Sequence, residues 1–461
     1  MLALLDRQTR LTANQWKIFT ACLFTLMLDF FDFFLIGFVL AFFVKDWDLT
    51  YGQSSLILLS SGVATIPSAL FFGWLGDKIG RRKVFIITIL IFSLGTGAMA
   101  FTPERGWIYM TVMRFIVGLG VGGFYAVDMP LLQEFMPSSK RGWISGLSMS
   151  LLPAGPSLAA VFAAFLGPVI GWRGLFALGA LPALMAFVIR IWVPESPRWL
   201  MSKGRLEEAR QSVAWALQID PATIALPPPA AETRSTSWWE LFRYPRSIIT
   251  ASIAGLSQAG AIGVGLWGVA LFVLVLGVTP QRASYLFIWI NLIAIPGRVF
   301  CAWLSDATGR RFSGAVTCAA AGVLMCMAGY LHDVMLGGVS LFFLMILLQS
   351  FFGGGNYAII GPYMTEVWPA HLRASGLGLT YGIGNIGKFI GPAGLAVIAG
   401  ASNYMSPQAT LDAIIPAFNY FAFWYLPATI VFAVFAIETR GRTIEEIDIA
   451  LTTGKRQTAG E

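Results

Sequence analysis

Long apolar runs alternate with short polar connections along almost the whole chain. Twelve runs approach or exceed the length of about 20 residues that a bilayer-spanning helix needs. They cover 18–43, 55–75, 84–102, 107–130, 143–166 and 173–193, then 247–276, 283–304, 313–332, 338–362, 375–400 and 413–437. Six precede a polar stretch, 194–246, and six follow it. That stretch holds KGRLEEAR (203–210) and the run Pro227, Pro228, Pro229. It reads as a short helix, a stiff linker and a Trp-rich re-entry at Trp238 and Trp239. The pattern predicts an all-α membrane protein: a six-helix bundle over 1–193, a cytoplasmic linker over 194–246, and a second six-helix bundle with a tail over 247–461.

Composition agrees. Only 12% of the 461 residues are charged and 57% are hydrophobic, whereas a soluble domain carries about a quarter charged residues. A water-facing surface and a disordered chain are both excluded. The net charge of +7 raises the question of nucleic acid, and the positions of the basic residues answer it. Of the 31 Lys and Arg, 23 fall in the tails and even-numbered connections and 4 in the odd ones, Lys45, Arg105, Arg173 and Arg282. This is the positive-inside signature. Both termini are expected in the cytoplasm, in a cell (inner) membrane, and no nucleic-acid partner is expected. The N-terminus lacks a cleavable signal pattern, so the first span should be retained. Cys22, Cys301, Cys318 and Cys326 lie in apolar runs with neither zinc nor disulfide spacing. No metal or cofactor is expected.

The two halves repeat. GWLGDKIGRRK after the second run places Asp77 and Arg81 as AWLSDATGRR after the eighth places Asp306 and Arg310. QEFMPSSKRG and TEVWPAHLRASG then align Glu134 with Glu366 and Arg141 with Arg373, each 232 residues apart. Parallel six-helix repeats place a binding site at their interface near mid-membrane. With these motifs, and with RFIVGLGVGG (114–123), PESPRWL (194–200) and ETRGRTIEEI (438–447), the chain resembles the major facilitator superfamily along nearly its whole length. The branch it resembles is that of sugar porters and of aromatic- and organic-acid–proton symporters. The resemblance implies a twelve-helix secondary transporter.

Three groups of residues carry the expected chemistry. Asp29 and Asp32, three residues apart in MLDFFDFFLIGF, share one face of the first span, and Arg114 in the fourth is the obvious partner. Acids in hydrocarbon are costly and usually functional. In the resembling symporters the acid at the position of Asp32 and the arginine opening the glycine motif form the proton-coupling pair. The aromatic-acid symporters carry Asp-Gly-aromatic-Asp, where this chain has Phe30 in place of the glycine. Lys388 sits near the middle of the eleventh span, in GIGNIGKFIGP, too deep to snorkel comfortably, and no acid falls at mid-membrane in the second half. A central lysine suits an anionic substrate. The basic residue of the aromatic-acid symporters falls here at Asn385, nearly one turn earlier. Asn356, Tyr357, Gln258, Trp267, Asn291 and Tyr381 are candidate substrate contacts. Asp77, Arg81, Glu134 and Arg141, with Asp306, Arg310, Glu366 and Arg373, are candidate gating residues. Asp77 should meet Arg141 and Asp306 should meet Arg373. Arg298 is expected to join the Asp306 network, and Asp128 to form a structural pair near Glu134.

No Walker A, Ser-His-Asp, HExxH or CxxC arrangement occurs, so neither ATP-driven pumping nor enzymatic activity is expected. The function expected is proton-coupled symport of a small organic anion by a monomer. Proton-driven efflux of amphipathic compounds, sugar or polyol symport, and a membrane sensor that has lost transport are the alternatives.

Overall fold

A computed structural model describes residues 1–44, 46–226, 238–369 and 372–440. Within these it gives the backbone alone at Ala3, Tyr125, Ala126, Ser138, Ser139, Arg141, Gly142, Trp143, Ser145, Trp238, Arg373 and Ala374. The described residues are mostly helical, with one antiparallel hairpin, Met335–Leu336 against Val339–Ser340.

Among the described residues, eleven helices are long and apolar enough to cross a bilayer. They are α1 (Ala13–Phe43), α2 (Tyr51–Ile79), α3 (Arg81–Met99), α4 (Trp107–Phe135), α5 (Gly146–Leu178), α7 (Pro245–Leu276), α8 (Pro280–Thr308), α9 (Arg310–Tyr330), α10 (Leu341–Glu366), α11 (Ser375–Ala399) and α12 (Pro407–Phe435). The apolar helix α6 (Ala183–Trp192) is shorter. The difference from twelve even runs is local. Gly171 takes φ 65°, ψ 177° inside Gly167–Leu178, a conformation open mainly to glycine. Two helices meet there without a loop, so the fifth run merges with the start of the sixth. This is the twelve-helix arrangement the hydropathy pattern predicts.

The chain divides into two compact units, Met1–Phe43 with Ser60–Thr233, and Val44–Leu59 with Arg234–Glu461. In the first, α4 packs closely on α2. A Cβ on Gly118 or Gly122 would overlap the backbone of Ser61 or Thr65, so the glycine motif after Arg114 sets the spacing that buries the arginine. Short helices Pro197–Ser202 and Leu206–Leu217 follow the bundle. The former is capped by the Ser196 hydroxyl, which accepts from the Trp199 N–H at 3.0 Å. The proline run lies outside the described residues.

In the second unit most spans are interrupted. α7 breaks at Ser257 and Gln258, α8 at Ile293, α11 at Ile386 and α12 at Trp424, and α10 contains a π-turn at Ser350–Gly354. Prolines account for two breaks: Pro296 and Pro427 lack the N–H that would bond the carbonyl four residues back, at Leu292 and Phe423. The start of α2 belongs to this unit. The Tyr51 N–H donates to the Asn403 carbonyl at 3.0 Å, and the Tyr51 hydroxyl lies 2.6 Å from that of Thr410.

Candidate functional site

The first unit buries the expected acid–arginine group. Asp29, Asp32 and Arg114 are each at most 1% exposed. Arg114 donates to the Ser61 hydroxyl at 2.8 Å, the Phe33 carbonyl at 3.1 Å and the Asp32 carbonyl at 3.4 Å. It therefore holds the backbone of α1 rather than gripping the Asp32 carboxylate. Neither oxygen of that carboxylate accepts a hydrogen bond of ordinary geometry among the described residues. Arg114 and the Thr96 hydroxyl are the polar groups acting on it. An acid so placed is near a cation yet not locked to it.

In the second unit two helix interruptions lie side by side. A Cβ built on Gly255 would come within 3.2 Å of Gly384, and one on Gly387 within 3.2 Å of Ala259. Gln258, in the break of α7, is thus at the level of Asn385 and Lys388, which flank the break of α11. The Gln258 side chain is buried. Its amide donates weakly to the Ser257 hydroxyl at 3.4 Å, and its carbonyl oxygen has no partner among the described residues. Lys388 is half-buried in the first turn of Gly387–Ala399. Pro392 removes the helical bond that the Lys388 carbonyl would otherwise accept. Tyr381, one turn before Asn385, is 37% exposed.

Other expected contacts are spent on packing. The Trp267 indole N–H donates to the Pro392 carbonyl at 2.9 Å and fastens α7 to α11. Asn356 accepts from the Thr317 hydroxyl at 3.1 Å and donates to the Cys318 sulfur at 2.9 Å, which ties α10 to α9. Arg298 faces α10. Its guanidinium stacks over Tyr357 with its centre 5.2 Å from the ring centroid, and it donates to the Gly354 carbonyl at 3.2 Å. Asn291 ends the first half of α8, with its amide nitrogen buried and without a partner among the described residues.

The repeated loops form matching charge clusters. In the first, Arg81 pairs with Glu134, which also accepts from the Ser196 hydroxyl. In the second, Arg310 reaches Glu366 at 3.2 Å and Asp306 at 3.0 Å, and Glu366 accepts from Thr439 at 2.5 Å. The Arg141 and Arg373 side chains expected opposite Asp77 and Asp306 lie outside the described residues.

Two further carboxylates were not singled out from the sequence. Glu195 accepts from the Arg82 and Ser196 N–H groups at 3.0 and 2.9 Å, and Glu438 from those of Arg310 and Arg311 at 2.9 and 3.2 Å. Each anion caps the N-terminus of the helix after the loop, where the helix dipole favours negative charge. Gly80 (φ 106°) and Gly309 (φ 93°) make room for them. The signal was available: both glutamates stand in motifs that follow the last span of a bundle, PESPRWL and ETRGR.

The comparisons agree with this architecture. The sugar (and other) transporter family profile matches residues 14–451. The niacin transporter NiaP of Acinetobacter baylyi is 31% identical over 437 residues, covering 92% of this chain and 94% of that one. The cis,cis-muconate transport protein of the same organism is 26% identical over 400 residues, covering 86% and 90%. The xylose transporter XylE from E. coli, in a partially occluded inward-open conformation, superposes with a TM-score of 0.72 at 18% identity, covering 94% of this chain and all of that one. That last likeness speaks for the fold alone. By profile, sequence and fold, the chain belongs to the sugar (and other) transporter family and is a multi-pass membrane transporter of the major facilitator fold rather than an enzyme.

Proposed function

We propose that this transporter imports a small organic anion, an aromatic or heterocyclic carboxylate, together with protons by alternating access. It works as a monomer in the cell (inner) membrane with both termini in the cytoplasm. Asp32, with Asp29, carries the proton, and Arg114 balances it. Lys388, with Asn385 and Gln258 at its level, receives the carboxylate, while Tyr381 offers a ring face. The paired loops, with Asp77, Arg141, Asp306 and Arg373, hold the cytoplasmic side closed in one state and part in the other.

The observation that carries the reading is Lys388, a cation beside two abutting helix breaks in mid-span. Interrupted helices at membrane depth are tolerated where they line a cavity. A strongly hydrated ammonium there is relieved by an anionic ligand. The names of two relatives point the same way, since niacin is a heterocyclic carboxylic acid and muconate a dicarboxylate.

The test is counterflow in proteoliposomes with labelled nicotinate, cis,cis-muconate, xylose and a hydrophobic amine. The reading expects exchange of at least one carboxylate and none of xylose or the amine. Exchange confined to xylose or the amine would overturn it.

A further inference from the structure

The first unit holds a third buried acid that the site above does not use. Asp128 of α4 is 1% exposed, and neither carboxylate oxygen accepts a hydrogen bond of ordinary geometry among the described residues. Glu134, near which a pairing was expected, is engaged by Arg81 and Ser196. What faces Asp128 is the thiol of Cys22 on α1.

Cys22 is the first member of a stripe. Cys22, Thr25, Asp29 and Asp32 follow at spacings of three, four and three residues, which places them on one face of α1. All four are at most 1% exposed. Successive members are separated by rises of about 4.5, 6 and 4.5 Å. On α4, Arg114 and Asp128 are 14 residues apart, close to four whole turns, or about 21 Å. The same seam therefore carries Asp32 beside Arg114 at one end and Cys22 beside Asp128 at the other. Every group between can give and take a proton: two carboxyls, a hydroxyl and a thiol. The Thr25 hydroxyl donates to the Ala21 carbonyl at 2.7 Å, and its lone pairs remain to accept.

Among the described side chains, no compensating charge is bonded to Asp128. α5 packs on α1 through Gly155, and its one charged residue, Arg173, is bonded to the Thr102 carbonyl at 2.9 Å. Arg190 stands at the end of α6, and Asp77 and Lys78 at the end of α2. A bare carboxylate in such a place costs several kcal/mol. An intramembrane acid so placed is a functional site by default.

We propose that the α1–α4 seam is a proton route, with Asp128 as its cytoplasmic terminus. A proton bound at Asp32 passes by way of Asp29, Thr25 and Cys22 to the Asp128 carboxylate, with single waters bridging the wider gaps. Asp128 then releases it to the cytoplasm. No electrons move; each relay group gains one proton and loses one. The inference rests on the proton-coupled reading above and adds an exit through the α1–α4 seam.

The test uses full-length protein in proteoliposomes. Infrared difference spectra over a pH titration, without substrate, should contain a protonated-carboxyl band that Asp128→Asn removes. The same variant should shift the S–H band that Cys22→Ala deletes. With nicotinate as probe, Asp128→Asn should slow uptake driven by a pH gradient at least tenfold and leave counterflow within twofold. Thr25→Val should likewise slow gradient-driven uptake and leave counterflow within twofold, and Asp128→Glu should restore gradient-driven uptake. A wild type that accumulates nicotinate, together with an Asp128→Asn variant that matches it, would overturn the route. So would spectra in which Asp128 never carries a proton. Nicotinate counterflow in the wild type without gradient-driven uptake, its Asp128 band titrating normally, would instead refute proton symport, and the route's transport role with it.

Discussion

Gly80→Ala should damage the first loop in a way that depends on Glu195. Gly80 has φ 106°, ψ 146°, a region that costs a non-glycine residue about 1–3 kcal/mol. Its new methyl group would also overlap the Glu195 carboxylate. That carboxylate would be pushed off the Arg82 and Ser196 N–H groups, 3.0 and 2.9 Å away. A charge-assisted hydrogen bond contributes about 1.5–3 kcal/mol. Water at the helix end can replace one of the two, so the displacement costs about one such bond. The total for Gly80→Ala is then about 2.5–6 kcal/mol, against about 1–3 kcal/mol in a Glu195→Ala background, where only the backbone strain remains. The assay is a double-mutant cycle on thermal unfolding of the purified protein in detergent. The unfolding midpoint should fall about twice as far for Gly80→Ala in the wild type as in Glu195→Ala. Equal falls in both backgrounds would refute the idea that the glycine exists to seat the glutamate.

Other expectations follow from the same geometry. Asp32→Asn should abolish accumulation against a gradient while exchange persists; accumulation that still tracks the pH gradient would remove Asp32 from the coupling role. Asp77→Asn should shift the resting population toward inward-open, read as faster labelling of cysteines introduced in the cytoplasmic vestibule, and unchanged labelling would count against gating by that loop. Lys388→Ala should weaken binding of a carboxylate by about 10- to 100-fold, the loss of one charge-assisted hydrogen bond, and should affect the matching amide far less. Equal losses for both ligands would make Lys388 a structural residue.

Much of the architecture was legible in the sequence because the bilayer imposes it. Apolar length and the placement of lysine and arginine depend on the membrane and hardly on neighbouring helices. The residues of the Arg81–Glu134 and Arg310–Glu366 pairs were legible for a different reason, as repeated motifs at similar offsets, but their pairing with each other was not, since the partners expected were Asp77 with Arg141 and Asp306 with Arg373. What stayed hidden depends on rotation and depth. Asn356 and Trp267 looked like substrate contacts, but their amide and indole groups turn into helix seams toward Thr317, Cys318 and Pro392. Arg298 is two turns from Asp306 along α8, yet its guanidinium turns inward over Tyr357. The break of α11 at Ile386 falls six residues before Pro392, and the sequence alone did not align it with the break of α7 at Gln258. The kink at Gly171 falls in the connection expected between the fifth and sixth runs, but the sequence did not show that two helices meet there without a loop.

The central claim is that a carboxylate and protons enter together. Its most direct test is the simultaneous record of labelled nicotinate and internal pH in proteoliposomes holding the wild-type protein. With an inward proton gradient, nicotinate should accumulate above its external concentration and carry protons inward in a fixed ratio. Both signals should vanish with a protonophore and in Asp32→Asn. Accumulation of nicotinate that persists unchanged in protonophore, with no proton movement accompanying it, would contradict the account.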